Sequence, residues 1–206
     1  LTVGPNMTSS SSPFTIFDRN GNGTVWTQSG SDNLHPAGGD LTWDGSSSTD
    51  FNNPLNWTPQ PPGAPTALYN LTIPNASGVP NNPVVTGTSY GKKLTISSGG
   101  NLTVQGSGNL TVSTDTDILG TLTVSGGNFR NGASSGTAGD TITIASAGRL
   151  NVSGGDVYSN GSAYNDFYIA TGGGLVDVTS GSLYVGEDTS GSQAGIRCLG
   201  HLNISG

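Results

Sequence analysis

Short runs in which apolar and polar residues alternate recur along most of this chain. Examples are Leu94-Thr-Ile96, Leu102-Thr-Val104, Leu110-Thr-Val112, Leu122-Thr-Val124, Ile142-Thr-Ile144 and Leu150-Asn-Val152. Period two puts the aliphatic residues on one face and Thr or Asn on the other, as in a strand with one wet side. The runs are three to five residues long, and the bends between them are too short to hold a crossover helix. The runs also sit in a larger repeat. An apolar residue, five small or polar residues and then Leu recur as Ile96 to Leu102, Ile144 to Leu150, Ile169 to Leu175 and Ile196 to Leu202, with a shortened form from Ile118 to Leu122. Counted from Ile73, the anchors fall at 73, 96, 118, 144, 169 and 196. Steps of this size mark stacked units, none of which can bury its apolar face alone.

Two or three short strands per lap of ~25 residues describe one rung of a solenoid, each strand pairing with its counterpart one rung away at ~4.8 Å. The pattern therefore predicts an all-β chain. Residues 70–206 form a right-handed parallel β-helix and residues 1–69 an N-terminal β-rich cap. Predicted inward residues are Ile96, Leu102, Val104, Leu110, Val112, Leu122, Val124, Ile144, Leu150, Val152, Ile169, Leu175, Leu183, Ile196 and Leu202. Cys198, the lone cysteine, falls two residues after Ile196 and is expected inside with it. The alternative is a β-sandwich, which would show antiparallel ladders in place of parallel ones.

Composition sharpens this picture. Charged residues are 9% of the 206, and Gly accounts for 34. The surface must then consist of Ser, Thr, Asn and Gly, with glycine serving frequent tight bends. A net charge of −7 without a basic cluster argues against nucleic acid and anionic membrane surfaces as partners. No apolar run approaches the length of a membrane span. The first residue is Leu1, with no signal peptide in view, which suggests a processed or excised product.

Residues 40–74 differ in character. They contain Leu41-Thr-Trp43-Asp-Gly45, then Asp50-Phe51, then Asn56-Trp57, a loop with Pro59, Pro61, Pro62 and Pro65, and Leu71-Thr-Ile73-Pro74. This phrase resembles a module of secreted surface proteins and adhesins of Bacteroidota and other bacteria. Its pattern is Trp-x-Gly, Asp-aromatic, Asn-Trp, a Pro-containing loop and then β-helical strands such as Pro83-Val84-Val85. Phe51 stands where that family often has Trp. The resemblance covers residues 41–126 and implies an extracellular, cell-surface β-helical stalk or adhesin, often exported by type IX secretion. Trp43, Phe51 and Trp57 read as a lid on the first rung, or alternatively as a sugar-stacking platform.

Chemistry-bearing constellations are sparse. Lys92 and Lys93 point apart on a strand. Asp115 and Asp117 share a face but fit a turn, and Glu187-Asp188 has no basic neighbour in sequence. His35 and His201 lack metal-ligand spacing. An enzyme is not expected, and neither is a cofactor; the alternative to a structural role is a carbohydrate-binding or polysaccharide-processing β-helix protein. Asp18, Asn20 and Asn22 spell the first half of a calcium loop whose twelfth position, Ser29, supplies no carboxylate. A hairpin turn there is the leading reading and a weak calcium site the alternative. Phe14–Phe17 and Thr24–Trp26 would be the strands of that hairpin. Tyr158, Tyr168 and Tyr184 recur at related rung positions. They are the candidate carbohydrate-binding residues, with surface glycans as ligands, against the plainer reading of packing along one face. Thr141, in Asp140-Thr141-Ile142, is a candidate O-glycosylation site. Ten Asn-x-Ser/Thr sequons follow from the grammar of Asn in the bend and Leu-Thr-Val in the strand.

An open solenoid end exposes unpaired strand edges. Leu202-Asn-Ile204-Ser-Gly206 ends partway through a rung, so further rungs of the same chain or other copies are the expected partners. Leu1-Thr-Val3 has the grammar of a rung strand. It is the segment that could add to a neighbour's open end and build a filament.

Overall fold

The structure is a computed structural model that describes residues 38–132, 140–160, 167–186 and 195–205, with the strand backbone at 15–17, 25–28 and 34–36. The chain divides into two compact units, residues 1–39 and 40–206. In the first, β1 (Thr15–Phe17), β2 (Val25–Gln28) and β3 (Leu34–Pro36) form an antiparallel sheet in chain order. Thr15 faces Thr27 and Phe17 faces Val25, so the expected hairpin is present. Its turn lies outside the described residues, and with it the candidate calcium positions Asp18, Asn20 and Asn22. Leu1-Thr-Val3 also falls outside them.

The second unit is a β-solenoid of about six rungs. It opens with β4 (Gly39–Trp43), paired antiparallel to β5 (Trp57–Thr58). The first rung follows as β6 (Tyr69–Ile73), β7 (Val84–Val85) and β8 (Thr88–Gly91). The second is β9 (Lys93–Ile96), β10 (Asn101–Val104) and β11 (Asn109–Val112), and the third β12 (Thr116–Ile118), β13 (Thr121–Val124) and β14 (Asn128–Asn131). In rung four, β15 (Ile142–Ile144) precedes β16 (Arg149–Ser159), which bends from the second face onto the third. In rung five, β17 (Phe167–Ile169) and β18 (Leu175–Val185) repeat that arrangement. The sixth holds β19 (Ile196–Cys198) and β20 (His201–Ile204).

Three faces result. Face one stacks β6, β9, β12, β15, β17 and β19. Face two stacks β7, β10, β13, the first half of β16, the first half of β18, and β20. Face three stacks β8, β11, β14 and the second halves of β16 and β18. Every pairing between rungs is parallel, from Ile73 beside Ile96 to Val176 beside Leu202. Partners are between 19 residues apart (Leu110 with Phe129) and 29 apart (Ile169 with Cys198). This parallel stacking excludes the sandwich. Residues 40–69 are continuous with the stack through β4, which neighbours β6 in the sheet, so the boundary between compact units falls at residue 39.

The inward columns are those of the repeat. Ile96, Leu102, Val104, Leu110, Val112, Leu122, Val124, Ile144, Leu150, Val152 and Ile169 are all fully buried. Five expectations change toward the C-terminal rungs. Leu175 is not inward: it pairs with Arg149 on the wet side, while Val176 lies beside Leu150 in the core. The cause is one extra residue in the preceding bend. Gly172 and Gly173 adopt φ of +89° and +120°, which side-chain-bearing residues rarely reach, and the glycine run accommodates the insertion. Leu183 and Leu202 lie only partly buried against the core. Ile196 is aligned with Phe167, but 45% of it is exposed because no described rung lies beyond it. The inward partner of Ile169 is Cys198, so the sixth anchor is 198 rather than 196, and that thiol is exposed on the last described rung.

Polar residues also enter the core. Thr116 takes the position of Leu94 and Ile142, and Asn131 that of Val112, both fully buried. The Thr116 hydroxyl donates to Asn131 Oδ1, so these two members of one rung close its corner with a side-chain hydrogen bond.

The register correction is open to test by mutation. Val176→Ala removes buried aliphatic surface and should cost about 1.5–3 kcal/mol. Leu175→Ala should stay within ~0.5 kcal/mol, as expected for a surface position. Urea unfolding of both variants checks the pair; equal losses would contradict the observed register.

Candidate functional site: the capped end and the outer columns

The residues of the Trp-x-Gly…Asn-Trp phrase assemble at the N-terminal end of the solenoid. Trp43, Phe51 and Trp57 are 0%, 0% and 1% exposed. Trp57 meets Trp43 and Phe51 edge-on, with centroids 5.2 and 5.0 Å apart, while Trp43 and Phe51 lie stacked at 6.4 Å. Such arrangements suit the ring quadrupoles and bury large areas. Both indole N–H groups are satisfied: Trp43 donates to the Asn81 carbonyl at 2.7 Å and Trp57 to the Phe51 carbonyl at 2.9 Å. Rings this buried have no face left for a sugar, so the trio is a packed lid.

Gly45 is part of the same construction. Its φ is +57°, and a Cβ there would lie 2.3 Å from the Asn81 carbonyl oxygen and 2.7 Å from Trp43 Nε1. Only glycine lets Asn81 reach the indole, and the Asn81 amide donates back to the Gly45 carbonyl at 2.8 Å. Asn56 is fully buried and uses its whole amide. Its Oδ1 accepts from the Ser47 and Ser48 N–H groups, and its Nδ2 donates to Ser48 Oγ and the Asp50 carbonyl. Asn56 also heads a sequon, and its burial excludes a glycan there in the folded state.

This module reaches the first-rung strand edge on all three faces, on face three at the Thr88 carbonyl. β4 lies beside β6 on face one. On face two, the Phe51 N–H donates to the Val84 carbonyl and the Val84 N–H to the Thr49 carbonyl. On face three, the Asn52 side chain acts as a strand of one residue. Its Nδ2 donates to the Thr88 carbonyl, and its Oδ1 accepts from the Ser89 hydroxyl. Asp44 accepts from Ser46 N–H and the Thr58 hydroxyl. Partial burial pushes its pKa up, but those hydrogen bonds outweigh it and hold the carboxyl below its ordinary value.

The candidate glycan-binding tyrosines are not brought together as a trio. Tyr158 and Tyr184 are adjacent in the outward column of face three, with rings stacked 4.8 Å apart at 8°. Tyr168 stands on face one beside Arg197, whose guanidinium is 5.6 Å from its ring. Arg130 lies 3.6 Å over the other face of Tyr158. Both faces of Tyr158 are therefore in use, and the stack is a support more than a platform. Sequence reasoning grouped the tyrosines by rung but had no means of assigning them to different faces.

Thr141 is half-buried just before β15, and its N–H and hydroxyl both approach Asp115 Oδ1, at 3.2 and 3.4 Å. Among the described residues no three His, Cys, Asp or Glu side chains gather as metal ligands. Glu187 and Asp188 lie outside them. No helix is long and apolar enough to cross a membrane. The one ion pair among the described residues is Lys93 with Asp117, 2.8 Å apart on face one.

A family model described as "Domain of unknown function (DUF8693)" matches residues 42–134, which span the lid module and the first three rungs. No curated protein and no solved structure matches the chain.

Two outcomes follow from this geometry. Asn56→Ala strands the Ser47 and Ser48 N–H groups and should cost about 2–4 kcal/mol. That would lower Tm by roughly 4–16 °C in a chain of this size, measurable by calorimetry. The hydrogen bond to Asp117 holds the Lys93 pKa above its ordinary value, against opposing desolvation. Its stabilisation is therefore full below pH ~10.5 and is lost as pH rises through the raised folded value. Both side chains are more than a third exposed, so solvent screening keeps the contribution below ~1 kcal/mol. Asp117→Asn should lower stability slightly at pH 7 and match wild type at the alkaline end; a gap that widens with pH would contradict this.

Proposed function

We propose that this chain is a segment of an extracellular structural stalk or adhesin on a bacterial surface, with the lid module at the start of a stiff β-solenoid rod. The observation that carries this reading is the pairing of a capped N-terminal end with a continuous, mainly aliphatic core. The lid meets the edges of β6, β7 and β8 together, which blocks edge-to-edge pairing at that end. The faces behind it carry Thr, Asn and Ser at most outward positions and few charges. Such a surface supports a spacer that is dense in backbone hydrogen bonds and poor in the exposed Lys and Arg that many proteases need. The scattered titratable groups support a non-enzymatic role. Resemblance of the lid phrase to Bacteroidota surface modules supports export to the cell exterior, with type IX secretion as the route proposed. At the other end, exposed Ile196, Leu199 and Ile204 fit further rungs or other copies as the occupants.

The test is surface accessibility. Antibody raised against residues 40–206 should label intact cells of the source organism. Trypsin added to those cells should release the protein as a large, slowly cut fragment. Labelling only after permeabilisation would overturn the extracellular assignment.

A further inference from the structure

The outward column of face three contains a step that the stalk reading does not use. Reading from rung one to rung five, it runs Tyr90, Thr111, Arg130, Tyr158, Tyr184. Four of these side chains are long and one is short. Thr111 is the direct neighbour of Tyr90 on one side and of Arg130 on the other. With ~4.8 Å between strands, Tyr90 and Arg130 stand about 10 Å apart across it. The column thus has a notch one rung wide, floored by Thr111.

Arg130 is held in place from behind. The central carbon of its guanidinium lies 3.6 Å from the centre of the Tyr158 ring, which is stacked in turn on Tyr184. This arrangement explains two tyrosines on a wet face whose ring surfaces are largely spent on each other. They form a pedestal that fixes the guanidinium, so little side-chain entropy remains to be lost when its N–H fork engages a ligand. Among the described residues Arg130 has no carboxylate partner, the one ion pair there joining Lys93 to Asp117. Among the described strand residues of this face the acidic one is Asp156, which accepts from the Tyr158 hydroxyl and lies one rung beyond Arg130, away from the notch. Opposite Arg130, Tyr90 is 46% exposed. Beside the notch, Asn109 and Asn128 are linked amide to amide at 2.6 Å.

We propose that the notch over Thr111, between Tyr90 and Arg130, binds one carboxylate-bearing sugar residue of an acidic glycan. The guanidinium fork takes the carboxylate in a bidentate pair. The Tyr90 ring offers an apolar surface to the C–H face of the sugar, and the Thr111 hydroxyl and the amide pair hydrogen-bond its hydroxyls. An acidic peptide fits less well. Peptides gain affinity from a free strand edge or an apolar groove. Here β11, which floors the notch, is paired on both sides, and the short β8 is paired with β11 on one edge and met by Asn52 at Thr88 on the other. The proposal stands apart from the stalk reading and holds whichever cell compartment the protein occupies.

The experiment is titration calorimetry of the full chain with four probes: trigalacturonate, sialyllactose, a neutral galactotriose and an aspartate-rich hexapeptide. Binding of either acidic sugar, at least ~10-fold tighter than the neutral one, is expected, and the two acidic arms distinguish a uronate from a sialate. Arg130→Gln and Tyr90→Ala should each weaken it ~10-fold or more, equivalent to ~1.4 kcal/mol. Arg130→Lys should recover only part of it, because an ammonium lacks the fork. Arg149→Gln, on face two, should leave it unchanged. Circular dichroism and Tm confirm that each variant folds, as expected for outward positions. Equal binding of neutral and acidic sugars would overturn the proposal. So would binding indifferent to Arg130, Arg130-dependent binding of the peptide alone, or no binding of any sugar at 10 mM probe.

Discussion

Everything in the solenoid depends on one constraint. A rung strand of three to five residues has no partner within its own rung, so its N–H and C=O groups must be met by the rungs before and after it. A buried backbone group left unmet costs as much as a lost hydrogen bond or more. Parallel stacking satisfies that need in both directions at once. It also aligns like with like: Leu102, Leu122, Leu150 and Val176 form one column because they are hydrogen-bond neighbours in the ladder. The aliphatic core is thus a consequence of the ladder as much as its cause.

The same constraint makes the ends costly, and the lid module is the answer at one of them. It meets three kinds of edge by three means: a strand on face one, a stretch of extended backbone on face two, and the amide of Asn52 on face three. The aromatic trio fills the cross-section beneath. Its buried indoles need acceptors, and these come from the Asn81 and Phe51 carbonyls. Gly45 is required because the Asn81 carbonyl must pass where a Cβ would stand. A phrase that looks in sequence like a scattering of Trp, Gly and Asn is in space one connected plug.

Outside, the ladder imposes order on residues that have no need of it for folding. Neighbouring rungs set outward side chains ~4.8 Å apart, close to the spacing of stacked aromatic rings. Tyr158 and Tyr184 stack for that reason, and Arg130 extends the stack. Lys93 and Asp117 pair across rungs on the diagonal, Asp117 standing beside Thr95 in the ladder. A regular surface of this kind turns a single substitution, such as Thr111 among long neighbours, into a feature with a shape.

By itself the sequence determined the fold class, the inward residues of the first rungs and the identity of the lid. Period two and a repeat of ~25 residues are local signals, and the ladder preserves them. Tertiary structure decided the rest. The step from Leu175 to Val176 depends on whether a glycine bend holds five or six residues between aligned positions, which a count along the chain does not reveal. Whether two tyrosines share a face depends on which of three corners lies between them. Tyr158 and Tyr184 share one and Tyr168 does not, although the repeat places all three at related rung positions. Asn81, Asn52, Thr116 and Asn131 carry no periodic signal, and their roles arise only when distant turns are brought to one end or one corner. The last rung shows the limit most plainly: Ile196 and Cys198 follow the grammar of the core, yet they are exposed, because burial belongs to the neighbouring rung and not to the residue.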